Sequence, residues 1–196
     1  MLSSRDMVSS GRRRHRYTYA QYVALARESS TKHEFFDGEI YALVSGSADH
    51  VALAANVVTA LADAVGDGPC HVHADLRIYV ESVGLATFPD GAVICGPLQQ
   101  HAPSPKDTAV NPNVLLEVTS DSSEDYDTIT KLETYQTIPT LHEVIFVSHR
   151  ERRITIYRRD ADTWVMRVAI AGGRIAVEAV GAELAVDTIY GNSSIP

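Results

Sequence analysis

Hydrophobic and polar positions along the chain change period several times, and each change marks an element. Tyr19, Tyr22, Val23 and Ala26 recur at helical spacing within Tyr17–Arg27, with Thr18 placed to cap the helix. Lys32–Val44 instead reads as two strands around Asp37-Gly38, the dipeptide that most favours a tight hairpin turn. Asp49–Val65 sets Val51, Ala54, Ala55, Val58, Leu61, Ala62 and Val65 on one stripe, and Gly66-Asp-Gly68-Pro69 ends that helix. His71–Val80 and Leu85–Cys95 are strand-like, separated by a turn near Gly84; Gly96–Pro112, with four prolines, is a loop.

Asn113–Ser120 departs from all of these. Its run Val-Leu-Leu-Glu117-Val places apolar residues on both faces, as in a central strand covered on two sides, with one carboxylate in the middle. An ionised glutamate there costs several kcal/mol, very roughly, unless a cation pairs with it. Lys131 and a bound metal ion are the candidates. An acidic loop then leads to a helix over about Thr128–Thr137, with Asp127 as its cap, Lys131 and Tyr135 four residues apart on one face, and Pro139 as its stop. From Glu143 the pattern is β: Glu143–Ser148, Arg153–Arg158, Thr163–Ile170 and Arg174–Ala179.

At 196 residues the chain is most simply one domain, 17–196, behind a basic, non-periodic lead at 1–16 that is expected to be flexible. The expected class is α/β (α+β), a mixed β-sheet flanked by helices with antiparallel strands at the C-terminal end. A net charge of −8 argues against broad coating of nucleic acid, though not against a local basic cleft. Arginines cluster at Arg12, Arg13, Arg14 and Arg16 and again at Arg150, Arg152, Arg153, Arg158 and Arg159; a solvated rim and a phosphate-contacting surface are both open readings. Val51–Gly66, the most apolar segment, is too short to span a bilayer, so no membrane anchor is expected. Cys70 and Cys95 are the only cysteines, which gives no disulfide framework and makes a reducing cytoplasm the expected location.

The chemistry-bearing residues are few. Asp90, after Phe88-Pro89, opens a short apolar run, so two carboxylates on neighbouring strands, Asp90 and Glu117, together with Lys131, suggest a site for a hard cation such as Mg2+. A rival metal reading uses Cys70-His71-Val-His73 with Asp75, a zinc-type ligand set short of the usual four for structural sites. Neither a Gly-x-Ser-x-Gly elbow nor a phosphate-cradling Gly-x-x-x-x-Gly-Lys loop is present.

Taken together, His33-Glu-Phe-Phe-Asp-Gly-Glu-Ile-Tyr41, Ala48-Asp-His50, Asp75-Leu-Arg77, Pro89-Asp90, Leu115-Leu-Glu-Val-Thr-Ser120 and Asp127-Thr-Ile-Thr-Lys-Leu-Glu-Thr-Tyr135 resemble the Uma-two family of restriction endonuclease-like proteins, in the PD-(D/E)XK nuclease superfamily. The resemblance implies a restriction endonuclease-like fold and Mg2+-dependent hydrolysis of DNA phosphodiester bonds, with Mn2+ as a substitute ion. It implies Asp90 and Glu117 as metal ligands, Lys131 and Glu34 as further catalytic groups, and His50, Arg77 and Tyr135 in the cleft or at the substrate. The superfamily lysine two residues after the acid is Thr119 here, and the resemblance implies that the helix position of Lys131 takes its part. DNA is the implied partner, and a homodimer is expected from the habits of such nucleases. The alternative is a catalytically inactive nuclease-like scaffold that binds nucleic acid or a protein.

Overall fold

The computed structural model describes residues 15–43, 46–102, 108–119, 124–191 and 193–196, the side chains of 124–128 excepted. Arg12, Arg13 and Arg14 lie outside these residues. Helix α1 (Tyr19–Glu28) starts from Thr18 through a reciprocal capping box with Gln21. Strands β1 (His33–Phe36) and β2 (Glu39–Ala42) follow as an antiparallel hairpin. Asp37 and Gly38 turn it with φ of 45° and 79°, the pair of positive values that a two-residue turn of this hand requires. Arg16, within the lead expected to be flexible, holds Asp37 through two hydrogen bonds, at 3.0 and 2.8 Å.

Helix α2 (Ala48–Val65) is capped by Ser47 and buries Leu53, Val57 and Leu61. Its 18 residues have a mean hydropathy of 1.3, long and apolar enough to meet the length and composition of a membrane span, contrary to the expectation from Val51–Gly66. Its stripe packs in the core against strand residues Val93, Val114 and Leu116.

The next four strands form one long folded hairpin. Strands β3 (Cys70–Ala74) and β4 (Arg77–Val80) run out, and β5 (Leu85–Thr87) and β6 (Gly91–Cys95) run back. Two continuous strands were expected, and each is broken. The outgoing arm breaks at Asp75, whose φ of 66° departs from strand geometry and whose carboxylate meets Lys32. The returning arm breaks at Phe88-Pro89-Asp90, where proline has no N–H to give a ladder. The tip pair, β4 with β5, belongs to one sheet and the base pair, β3 with β6, to another. Asp90 therefore sits at the crease.

The expected loop contains a two-residue strand, β7 (Thr108–Ala109), parallel to β4. Strand β8 (Val114–Val118) is buried throughout. Helix α3 (Glu124–Gln136) starts four residues earlier than expected, which puts Asp127 inside its first turn instead of at its cap. Strands β9 (Glu143–Val147), β10 (Arg153–Asp160), β11 (Thr163–Ile170) and β12 (Arg174–Val177) match the expected β region. Strand β13 (Ala182–Ala185), which pairs with β12, and the one-turn helix α4 (Val186–Ile189) were not foreseen.

The mixed six-stranded sheet runs β11-β10-β9-β8-β6-β3, and a second sheet runs β2-β1-β5-β4-β7. Alternation along β8 divides the core. Val114, Leu116 and Val118 face α2 and the β12–β13 hairpin, while Leu115 faces Leu132, Tyr135 and Ile138. The α/β class with helices flanking a mixed sheet is as expected.

The cysteine expectation is corrected. Cys70 and Cys95 are partners in the β3–β6 ladder and form a disulfide, because the antiparallel register sets them opposite each other. Lack of a disulfide is thus no ground for a reducing compartment, and the zinc reading loses its cysteine.

Candidate active site

Antiparallel pairing of Gly91 with Leu116 makes Asp90 and Glu117 the next neighbours along β6 and β8. The Asp90 carboxylate is held from two sides. Its Oδ2 accepts the backbone N–H of Val118 at 2.7 Å, and its Oδ1 meets Nε2 of His50 at 2.9 Å. His50 reaches it from the first turn of α2, where Ser47 caps its amide. The hydrogen bond to Asp90 raises the pKa of His50 above 6.5, with burial working against it.

Glu117 is 7% exposed, so an acid inside an apolar strand demands a partner there. Helix α3 provides two. Lys131 Nζ donates to Oε2 at 3.0 Å and the Tyr135 hydroxyl to Oε1 at 2.6 Å. Their spacing of four along the helix is what lets both meet one carboxylate. Burial, with Asp90 adding to it, raises the Glu117 pKa, while Lys131 and Tyr135 oppose the rise. Burial works against the charge on Lys131, yet Glu117, Glu34 and Asp90 outweigh it and raise its pKa, so the ammonium stays protonated at neutral pH. Tyr135 is likewise raised, first by burial and then by Glu117.

The five-stranded sheet contributes the opposite wall. Glu34 on β1 accepts from the Thr87 hydroxyl at the end of β5. Arg77 on β4 is buried between the rings of Tyr22 and Phe88, at 5.3 and 5.2 Å from their centroids, and donates to Thr108 at 3.3 Å. Its Nε has no hydrogen-bond partner among the described residues. The structure thus brings Asp90, Glu117, Lys131, Tyr135 and His50 into direct contact pairs. Glu34 lies near enough to act on the charge of Lys131, and Arg77 stands in the aromatic wall. The pattern of residues missed Thr87 and the Val118 amide. A threonine three residues before Asp90 carries no signal of its own, and a backbone donor carries none at all.

The second arginine cluster is largely structural. Arg159 donates to the carbonyl of Gln136 at the end of α3 and to those of Ile138 and Leu141 beyond it, and stacks on Trp164 at 4.7 Å. Arg158 pairs with Glu178, and Arg152 donates to the carbonyl of Ile195. Donors committed to protein carbonyls are not offered to a phosphate.

Among the described residues no group of three or more His, Cys, Asp or Glu side chains is arranged to hold a metal ion. The donor chemistry still fits a hard divalent cation: two neighbouring carboxylates, with water and substrate oxygens left to complete the shell, is the usual manner of Mg2+. His71 and His73 gather no such set.

Comparison with known proteins identifies the family and the fold. The Uma2 (Uma-two) family model, described as "putative restriction endonuclease", matches residues 19–187. An uncharacterized protein of Synechocystis, slr1290, is 30% identical over 172 residues, covering 87% of this chain and 89% of the relative. A second, sll1609, is 27% identical over 168 residues, covering 82% and 91%. A crystal structure from Anabaena variabilis, described as a "putative nuclease", matches with a TM-score of 0.70 at 15% identity, over 88% of this chain and 96% of that one, and shares the fold. The chain belongs to the Uma2 family of restriction endonuclease-like proteins.

Proposed function

We propose that the chain is a metal-dependent endonuclease that hydrolyses DNA phosphodiester bonds, with Mg2+ as its ion and Mn2+ able to replace it. Family membership supports a nuclease function in general. The observation that carries the finer reading is the placement of Asp90 beside Glu117 with Lys131 Nζ 3.0 Å from the latter. Asp90 and Glu117 would hold the ion, which when bound activates water for attack and offsets charge on the scissile phosphate. His50 and the Val118 amide fix the orientation of Asp90, and Tyr135 fixes that of Glu117. Lys131, protonated and with 32% of its side chain exposed, donates toward the developing negative charge. Glu34 adds a third carboxylate to the field around Lys131.

One observation favours the second reading, a scaffold that binds without cutting. Every oxygen of Asp90 and Glu117 already accepts or meets a protein partner, so an ion must compete with those contacts.

Cleavage of plasmid and single-stranded DNA with Mg2+ or Mn2+, comparing the wild type with Glu117→Ala, tests the proposal. Metal-dependent cutting that falls by at least about 100-fold in the variant supports it. A folded wild type that cuts neither substrate transfers support to the scaffold.

A further inference from the structure

Strand β11 is the outer strand of the six-stranded sheet, and among the described residues no strand pairs with its outer edge. Its eight residues, Thr-Trp-Val-Met-Arg-Val-Ala-Ile, include no proline or lysine, two of the residues that protect an edge from pairing. Met166, Val168 and Ile170 stand on one face at 56%, 47% and 63% exposure. The only charge, Arg167, points to the other face, where Glu178 holds it at 3.1 Å.

We propose that β11 pairs antiparallel with β11 of a second copy of this chain, in the register that sets Val168 opposite Val168 across a two-fold axis. That register places Met166 of each copy opposite Ile170 of the other, so all the exposed apolar side chains of this face meet apolar partners. Arg167 then faces Ala169. The register with Arg167 on the axis would instead set like charges directly opposite, which is destabilising. A strand with apolar residues on one face and a single neutralised charge on the other is complementary to itself, and nothing further is needed from a different partner.

The pairing also organises the candidate sites. Glu117 pairs in register with Phe146, Phe146 with Thr155, and Thr155 with Val168, so these four share a face and a row. Carried through the two-fold axis, the row joins the two Glu117 residues on one face of a continuous sheet, at most about 34 Å apart for seven interstrand spacings of about 4.8 Å. This consequence rests on the nuclease reading, under which the span is about one turn of duplex DNA.

Sedimentation equilibrium of the full chain at micromolar concentration is the test, with Val168→Lys and, as an exposed apolar control on α2, Val51→Lys. The expected result is a wild type and a Val51→Lys variant at twice the chain mass of 21.3 kDa, and a folded Val168→Lys variant at the chain mass. In a second arm, mild oxidation should cross-link Val168→Cys into a covalent dimer and leave Val51→Cys uncross-linked. A monomeric wild type overturns the proposal and leaves the edge to another protein. A dimer that survives Val168→Lys, or one in which Val168→Cys does not cross-link, overturns it as well. Both arms read mass instead of cleavage, so an inactive dimer counts only against the nuclease reading and an active monomer only against the interface.

Discussion

The backbone N–H of Val118 donates to Oδ2 of Asp90 at 2.7 Å, tying the acid at the crease of the folded hairpin to the peptide that follows Glu117. One carboxylate is thereby positioned by the strand that carries the other. The spacing of the two acids depends on sheet register and not on a flexible loop. Asp90→Asn keeps an oxygen acceptor for this amide, whereas Asp90→Ala leaves a buried donor unpaired. We expect Asp90→Ala to lose about 1–3 kcal/mol more stability than Asp90→Asn. Both should lose metal-dependent cleavage. Urea denaturation beside the cleavage assay checks this, and equal stabilities would show that the tie contributes little.

Lys131→Met should expose the cost of burying Glu117. A glutamate whose pKa is raised on folding is easiest to bury protonated. Its contribution is fully present below the ordinary value of 4.5 and is lost as pH rises through the folded value. Lys131 opposes that loss in the wild type. Its removal should therefore give a variant close to wild type near pH 4.5 and about 3 kcal/mol less stable at neutral pH. Denaturation midpoints across that range are the measurement. A deficit that does not change with pH would mean that Glu117 is not buried as a charge.

His50 carries the opposite kind of charge and a milder effect. Its pKa is raised by the hydrogen bond to Asp90, so the stability it contributes is fully present below 6.5 and fades as pH climbs through the raised value. His50→Gln keeps a donor without the titration. Between pH 6 and 9 the wild type should lose stability relative to this variant. Parallel profiles would remove the charged His50–Asp90 pair from the account.

Much of this was legible locally. The Asp37-Gly38 turn, the existence of α2 and the buried acid of β8 each follow from a handful of consecutive residues, although the buried face of α2 is Leu53, Val57 and Leu61, with Val51 at 59% exposure on the expected stripe. So did the meeting of Lys131 with Glu117, since a buried acid needs a cation. What was hidden depends on distant pairings. Pro89 signals a break within Leu85–Cys95, but nothing there or in His71–Val80 announces that the arms change sheets at Asp75 and Asp90, because that depends on which strands lie alongside. Thr87 and the Val118 amide became neighbours of the acids through the same fold. The start of helix α3 at Glu124 is not legible, since its first residues carry no apolar stripe in the sequence. The β12–β13 hairpin was half seen: Ala182–Ala185 is short and gains its strand character from its partner.

The Cys70–Cys95 disulfide closes a loop with a sequence separation of 25, which holds the base of the hairpin whose crease carries Asp90. Cross-linking of that length restricts the unfolded chain, and its loss should cost about 2–4 kcal/mol. The β3–β6 ladder continues from Cys70 and Cys95 to Ala74 and Gly91, so the register around Asp90 has its own hydrogen bonds after reduction. We therefore expect dithiothreitol to lower the urea midpoint of the wild type and leave its metal-dependent activity in native buffer nearly unchanged. A Cys70→Ala/Cys95→Ala double variant should start at the lower midpoint and ignore the reductant. Two titratable thiols in native protein purified without reductant, or midpoints that do not move, would argue that the bond does not form in solution and that the ladder alone keeps the hairpin closed.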